Sequence, residues 1–221
     1  TIFVQKFLMG GGLEYKYLKI NSPTLSNEEN IIDKSNYFSA FAYLKYDSLD
    51  EKYYPSSGVY FSTDLQTYLT SSDYTKTFKP FSMVKAELSV VNKLFRKATF
   101  KFDADAGFTF GNNSVPFFDY ILGGYGYSKI NNFNYFYGYD FLSIAGNSFI
   151  KAGITLDYEI LKKNHINLSA NFANLGNDIF SGVDWISMPK YTGYAVGYGL
   201  ETIIGPIEIK QSWSPEMSKS F

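Results

Sequence analysis

The feature that most constrains this chain is a period-two alternation of apolar and polar residues sustained over long stretches. From Ala98 to Phe110 every second residue is apolar, and the residues between them are polar, charged or glycine. This is the period of a β-strand, whose successive side chains point to opposite faces. A soluble strand usually has about 5–6 residues, and a tilted strand needs about 9–11 to cross a bilayer. A strand from Ala98 to Phe110 is long enough to do so.

The same alternation recurs along most of the chain and predicts an all-β fold with an antiparallel sheet. Clear segments occupy 59–66, 84–90, 150–160, 166–172, 194–201 and 207–213, with less clear ones at 12–20 and 37–47. We expect a polar loop at 21–36. Short connections at 92–97, 161–165 and 204–206 alternate with long ones at about 67–80, 111–146 and 174–190. Short turns on one side and long loops on the other are typical of outer-membrane barrels.

The polar stripe of these strands carries charged residues near its middle, which favours a transmembrane β-barrel over a soluble sandwich or a lipocalin-like barrel. In such a barrel one face of each strand meets lipid and the other meets a hydrated lumen. We therefore predict lumen-facing charges at Lys101, Asp103, Asp105, Lys151, Asp157 and Glu159. We predict lipid-facing side chains at Phe100, Phe102, Phe108, Ile150, Ile154 and Leu156. The soluble alternatives stay open, because a half-buried soluble strand also alternates.

Composition excludes several functional classes. The chain has 20 basic and 21 acidic residues, and this balance argues against a nucleic acid held by bulk electrostatics. Cysteine is absent and histidine occurs once, so disulfides, thiolate sites and a histidine cluster for zinc are excluded. No Gly-x-Ser-x-Gly motif is present. We expect no metal, no cofactor and no enzymatic activity in these residues.

Aromatic residues make up 19% of the chain, and several lie near predicted strand ends. An interfacial girdle would occupy such positions. The candidates are Tyr53, Tyr54, Tyr68, Tyr74, Tyr191 and Trp185. The single histidine, His165, falls in a predicted tight turn beside Lys162 and Lys163, and we expect it to be a solvated turn residue and not a ligand.

A series of short motifs follows the strands in a fixed order. The motifs are Tyr54-Pro55-Ser56-Ser57-Gly58, residues 116–124 (PFFDYILGG), Tyr137-Gly138-Tyr139, Gly146-Asn147-Ser148, Asn174-Leu175-Gly176-Asn177 and Ile204-Gly205-Pro206-Ile207. In this order they resemble the C-terminal barrel of the BamA-like outer-membrane superfamily, the bacterial surface antigen barrel. The resemblance covers about residues 54–214. It implies a barrel of about sixteen strands in the bacterial outer membrane.

Within that superfamily, the amino-acid sequence of residues 130–133, 136–143 and 205–208 most resembles that of barrels fused behind patatin-like lipase domains in Bacteroidota. The resemblance also implies a long loop that folds back into the lumen. Its motif residues here are Gly123, Gly124, Tyr137, Gly138 and Tyr139. Members that insert or secrete proteins carry an Arg-Gly-Phe/Tyr tip on this loop, which docks on an acidic barrel wall. This chain has Tyr137 in place of the arginine.

These observations predict that residues 1–221 form one outer-membrane β-barrel domain. Only about nine or ten strands are visible, and Lys219-Ser220-Phe221 follows no alternating segment. We therefore expect a fragment that lacks an upstream soluble domain and the final strand, although a ten-stranded barrel stays open. The leading functional hypothesis is a membrane anchor and translocator for a patatin-like lipid acyl hydrolase. The alternatives are a BamA-type assembly or secretion factor and a soluble ligand-binding barrel. Expected partners are outer-membrane lipids and other outer-membrane or periplasmic proteins.

Overall fold

The structure of the chain is a computed structural model that describes residues 2–4, 6–23, 29–72, 78–111, 118–125, 132–141 and 143–217. Ten strands form one sheet: β1 (Ile2–Val4), β2 (Phe7–Pro23), β3 (Glu29–Asp47), β4 (Gly58–Ser71), β5 (Phe81–Phe95), β6 (Ala98–Gly111), β10 (Ser148–Leu161), β11 (Asn164–Gly176), β12 (Tyr191–Thr202) and β13 (Gly205–Trp213). Three short strands form a second sheet: β7 (Tyr120–Leu122), β8 (Phe133–Asn134) and β9 (Ile144–Gly146).

The large sheet is an antiparallel meander in which each strand pairs with its neighbour along the chain, except that β6 pairs with β10. The insertion between β6 and β10 contains the small sheet, in the order β8-β7-β9. The large sheet is open, with β1 and β13 at its edges. The all-β, antiparallel prediction is confirmed.

The strands are long, as the alternation predicted. Strands β4, β5, β6 and β10 contain 14 or 15 residues, which corresponds to about 45–50 Å at about 3.3 Å per residue. From Phe100 to Phe110 the apolar stripe of β6 extends for about 33 Å, or about 25 Å in height at the usual barrel tilt. That height equals the apolar band of an outer-membrane barrel. In the described part of the chain, no helix is both long and apolar enough to span a bilayer.

The two faces of the sheet show the reverse of a soluble protein's burial. The buried side chains of β10 and β11 include Lys151, Asn167, Ser169 and Asn171. The alternate residues of the same strands include exposed Ile154, Leu156, Ile166 and Leu168. We call the face with buried polar side chains the inner face, and the opposite one the outer face. Apolar side chains left outside a polar interior indicate a protein whose surroundings are hydrocarbon.

The two-residue turns at 96–97, 162–163 and 203–204 lie at one end of the sheet, together with the β3–β4 loop at 48–57. The long connections, including the insertion at 112–147, lie at the other end. The predicted alternation of short and long connections is therefore confirmed for β5 to β13. The polar loop predicted at 21–36 is shorter than expected, because β2 extends to Pro23 and β3 starts at Glu29. Tyr74 and the terminal Lys219-Ser220-Phe221 lie outside the described residues.

Candidate functional site

The described residues between 118 and 147, namely 118–125, 132–141 and 143–147, fold back over the inner face of the large sheet, and we call them the inner segment. Strand β7 is its centre, pairing with β8 on one side and β9 on the other. Backbone bonds close the fold: the Gly123 amide donates to the Asn134 carbonyl, and the Gly124 amide donates to the Tyr139 carbonyl at 2.8 Å. Gly123 and Gly124 have φ of +138° and +72°, values that a side chain would strain.

One end of the inner segment packs on β3–β6 through aromatic rings. Phe118 lies 5.2 Å from Tyr37 and 4.5 Å from Tyr68, measured between ring centroids. The Tyr120 ring fills the space above Gly107, and its hydroxyl donates to the Val84 carbonyl at 2.8 Å. Phe118 and Tyr120 are almost fully buried. These contacts attach the start of the inner segment to the inner face, because they bury apolar surface and because the rings fit the space that the strands leave.

The tip of the inner segment, Tyr137-Gly138-Tyr139, docks on β11, β12 and the end of β13. Gly138 has φ +76°, and a Cβ there would collide with the carbonyl group of Trp213. Gly193 on β12 likewise leaves room for the Tyr137 carbonyl oxygen. With its amide oriented to satisfy both contacts, Asn171 accepts from the Tyr137 amide at 2.9 Å and donates to the Gly193 carbonyl. The tip is thus held by close backbone approach at Gly138 and Gly193, without an arginine of its own.

Tyr139 completes the docking of the tip through Glu216, which follows β13. The Tyr139 hydroxyl donates to the Glu216 carboxylate at 3.0 Å, and Thr192 and Ser214 hydroxyls donate to it as well. Although partial burial acts to raise it, these hydrogen bonds, together with one from the Glu216 backbone amide, hold the pKa of Glu216 at about 2. Glu216 therefore stays ionised at any ordinary pH and keeps accepting these bonds.

The most deeply buried ion pair of the described residues joins β10 to β6 beneath the inner segment. Lys151 and Asp105 face each other in register, and their Nζ–Oδ2 distance is 2.6 Å. Only 1% of the Lys151 side chain and 3% of the Asp105 side chain are exposed. The Lys151 ammonium also lies 4.1 Å from the centroid of the Tyr135 ring, and it contacts the Tyr135 carbonyl oxygen. The inner segment therefore covers this pair with an aromatic face that favours a cation.

A second lysine of the inner face contacts the inner segment in the same manner. Lys210 on β13 lies 4.6 Å from the Tyr125 ring and 5.1 Å from the Tyr137 ring, and it pairs with Glu208 at 3.0 Å. Glu208 also accepts from the Tyr125 hydroxyl and from Asn167. Cations of the wall thus meet tyrosines of the inner segment. This is the opposite arrangement to the arginine tip and acidic wall that the resemblance implied for insertase members.

The other predicted charges also lie on the inner face. Asp103 accepts from Ser89 at 2.7 Å and pairs with Lys101 of its own strand at 3.1 Å. Glu159 accepts a backbone hydrogen bond from Lys163 in the adjacent turn. Asp157 lies near the same end and bonds His165. Each of these carboxylates thus accepts a hydrogen bond, and Asp103 also has a counter-ion in Lys101.

His165 is not the solvated turn residue that the sequence suggested. It lies on the inner face of β11, 6% exposed, with Nδ1 2.7 Å from Asp157 and Nε2 3.1 Å from Glu201. The Tyr54 ring stacks on the imidazole at a centroid distance of 4.1 Å, and the Tyr54 hydroxyl fits against Gly199. Burial, with the nearby carboxylates adding to it, raises the pKa of Tyr54 to about 12. The expectation failed because two of the partners, Glu201 of β12 and Tyr54 of the 48–57 loop, are distant in sequence.

The girdle prediction is also wrong for Tyr54, Tyr68 and Tyr191, which belong to the inner side of the molecule. Tyr68 is 2% exposed in the Phe118 cluster, and Tyr191 packs on Tyr139. Tyr53 and Trp185 are exposed. Spacing near strand ends does not tell which face a tyrosine occupies.

Two cavities adjoin the inner segment. One of about 560 Å³ lies over β2–β5, lined by Lys16, Lys45, Tyr60, Asp64, Lys85 and Glu87, and bordered by Phe118 and Tyr120. A second of about 440 Å³ lies near the short connections, lined by Tyr53, Lys101, Tyr125, Tyr135, Asp157 and Lys210. In the described part of the chain, no group of three or more acidic, histidine or cysteine side chains is arranged to hold a metal ion.

The six residues predicted to face lipid all lie on the outer face. Phe102 pairs with Ile154 and Phe100 with Leu156 across β6 and β10. Phe108 and Ile150 occupy the same face nearer the long connections. Ile154 and Leu156 are 41% and 46% exposed. Contact of these side chains with lipid itself stays a prediction.

Residues 1–221 match the family profile of the OMP85 superfamily over their whole length. The chain belongs to the OMP85 superfamily. This membership confirms the predicted BamA-like barrel superfamily, and it agrees with the inverted burial of the two sheet faces. The fold is that of an outer-membrane barrel of the OMP85 type. No curated protein matches the chain.

Among solved structures the chain is similar to BamA from Haemophilus ducreyi, crystallised without POTRA domains 1–3. The TM-score is 0.69 at 16% sequence identity, and the match covers 96% of this chain and 48% of that one. The chain thus spans about half the length of this solved relative. At that identity the likeness shows the fold alone. Its ten-stranded open sheet follows the fold of a barrel domain in an OMP85 protein.

Proposed function

We propose that this chain is the outer-membrane anchor and translocator part of a patatin-like protein in the bacterial outer membrane. In this proposal residues 1–221 perform no catalysis, and lipid acyl hydrolysis belongs to an attached domain. The barrel's partners are outer-membrane lipids and, at the end with short connections, the attached domain or other periplasmic proteins. The assignment to a patatin-like protein is motivated by the amino-acid sequence of residues 130–133, 136–143 and 205–208.

The observation that carries the proposal is the docking of Tyr137-Gly138-Tyr139. The insertase-type tip uses an arginine. A conformational change could form or break the ion pair between that arginine and the acidic barrel wall. Here Gly138 lies directly against the Trp213 backbone, and Tyr137 and Tyr139 are buried. A tip fixed by close packing favours a barrel whose inner face stays filled, as an anchor requires, over one that rearranges at each insertion cycle.

Subcellular fractionation of the full-length protein tests the anchor role. Deletion of residues 1–221 should release the attached domain from the outer-membrane fraction into the soluble fraction. A Gly182→Ala variant is the matched control, because nothing lies within 4 Å of a Cβ at Gly182. Retention of the attached domain in the outer membrane after the deletion would contradict the anchor role.

A second candidate is a BamA-type assembly or secretion factor, which the fold shared with BamA favours. It predicts soluble repeat domains in place of a hydrolase on the attached side of the chain. Depletion of the protein should then lower the amounts of other outer-membrane barrels. Under the anchor proposal depletion removes only this protein, so quantitative proteomics of the outer membrane separates the two.

A further inference from the structure

The connection between β11 and β12, residues 177–190, exposes an unusual number of large apolar side chains. It contains two 3₁₀ turns, Ile179–Ser181 and Asp184–Ile186. Val183 is 72% exposed, Ile186 65% and Met188 87%, and Phe180 and Trp185 are also exposed. Asp184 is the only ionisable residue between Ile179 and Pro189. A loop in water does not normally present so continuous an apolar surface.

The connection is well anchored at both of its ends. Ile179 is buried, and its amide donates to Ser148 Oγ at 3.1 Å. At the other end Asn174 donates to the Ser187 carbonyl oxygen at 3.2 Å and accepts from the Lys190 amide at 2.8 Å. The apolar side chains between these anchors are therefore held outwards by a defined backbone.

The exposed patch is continuous with the outer face of the sheet. The Phe180 ring makes an edge contact with Phe108 of β6 at a centroid distance of 5.5 Å. Phe108 contacts Phe110 on the same stripe at 4.5 Å, and Phe180 contacts Trp185 at 6.0 Å. Phe180 thus joins the apolar surface of the strands to that of the connection. The patch extends the outer face beyond the strand ends, where the interface of a bilayer would lie.

We propose that residues 179–188 insert into the interfacial layer of the outer membrane, between the acyl chains and the headgroups, and anchor this end of the barrel. Lipid is the occupant that the continuity with Phe108 favours, because the outer face of an OMP85 barrel already faces hydrocarbon. Tryptophan prefers this layer, since its ring is apolar and its N–H needs a polar partner. The inference rests on the barrel fold and not on the patatin-like assignment.

The test uses the two tryptophans of these residues, Trp185 and Trp213. The full-length protein is reconstituted in phosphatidylcholine vesicles brominated either near the headgroup or near the acyl-chain end. The difference in emission between the parent and Trp185→Phe isolates Trp185, and any other tryptophan cancels. The difference with Trp213→Phe isolates Trp213, which is 49% exposed at the outer end of β13 and serves as the lipid-facing reference.

We expect the Trp185 emission to be blue-shifted, to lose most of its intensity with bromine near the headgroup, and to be little affected by aqueous iodide. Strong quenching by iodide without quenching by brominated lipid would overturn the proposal. If Trp213 alone is quenched by lipid, the patch serves a second copy or another protein and the proposal fails, while the barrel assignment stands. If neither is quenched, the hydrocarbon-facing outer face itself is wrong.

A charge in the patch provides a second measurement. Met188→Asp should withdraw the connection, shifting Trp185 emission to the red and restoring its quenching by iodide. The uncharged change Gly182→Ala in the same connection should leave both unchanged. An unaltered Trp185 spectrum in Met188→Asp would also contradict insertion.

Discussion

The inner face of the sheet divides into two regions that both carry polar side chains but differ in packing. Over β6 and β10–β13, the packed region, the inner segment covers Lys151, Asn171 and Ser169. Over β2–β5, beside the place where Phe118 packs on Tyr37 and Tyr68, Lys16, Lys45 and Lys85 line a cavity of about 560 Å³, which we call the open region. A polar wall therefore becomes rigid only where a second layer removes water from its charges and fixes their partners.

The largest effect is expected from Gly138→Val, which attacks the docking of the tip in the packed region. Valine would combine a left-handed backbone with a collision against Trp213, and we expect a loss of about 4 kcal/mol of unfolding free energy. Urea unfolding of the barrel in vesicles measures it. Gly182→Ala should change the free energy by less than about 0.5 kcal/mol, since its surroundings are open. Equal effects at both positions would show that the tip is not docked as described.

The next prediction compares one lysine from each region. Lys151→Met should cost about 3 kcal/mol of unfolding free energy, because it leaves Asp105 buried without its counter-ion. Lys85→Met breaks the pair with Glu87, whose side chains are 11% and 12% exposed beside the cavity, and should cost less than Lys151→Met because water reaches this pair. The double variant Lys151→Met/Asp105→Leu should recover much of the first loss. A Lys85 effect as large as that of Lys151 would remove the distinction between the two regions.

The reactivity of an introduced cysteine provides another comparison of the two regions, because the 221 residues contain no native cysteine. Asp64→Cys places a thiol in the open cavity, and Ser169→Cys places one under the tip, where the native serine is 6% exposed. A water-soluble maleimide should label position 64 at least about 100-fold faster than position 169, because the latter must wait for the inner segment to open. Similar rates would mean that the inner segment does not cover the packed region.

The smallest expected effect is the loss of stability of the docked tip at low pH. The pKa of Glu216 is lowered from 4.5 to about 2, so its ionised form contributes stability above about pH 4.5, and this is lost as the pH falls through 2. The tip should therefore loosen only in strong acid. Glu216→Gln should abolish that part of the pH dependence while keeping the shape of the side chain. Unfolding curves between these two pH values test it, and an unchanged slope in Glu216→Gln would exclude Glu216 as the group responsible.

Much of the fold was predictable, because an alternation with a period of two residues shows which residues lie on the same face of a strand. For this reason the sequence assigned Phe100 and Lys101 to opposite faces of β6. The short turns between β5 and β13 were predicted as well. The start of β3 was not, because the alternation is weak at 29–36. His165 was misjudged because Tyr54 and Glu201, which bury it, lie 111 and 36 positions away along the chain.

Residue order and local geometry are enough to specify the two chemically distinct faces of each strand and the absence of an arginine at the tip. Which polar residues become buried depends on contacts between segments that are distant in the chain. Lys85 and Lys151 have similar surroundings in the sequence. Of these two lysines the inner segment covers Lys151, whose side chain is 1% exposed, whereas Lys85 borders a cavity and is 11% exposed. Water is excluded from Lys151 by packing, which is not a property of the strand alone.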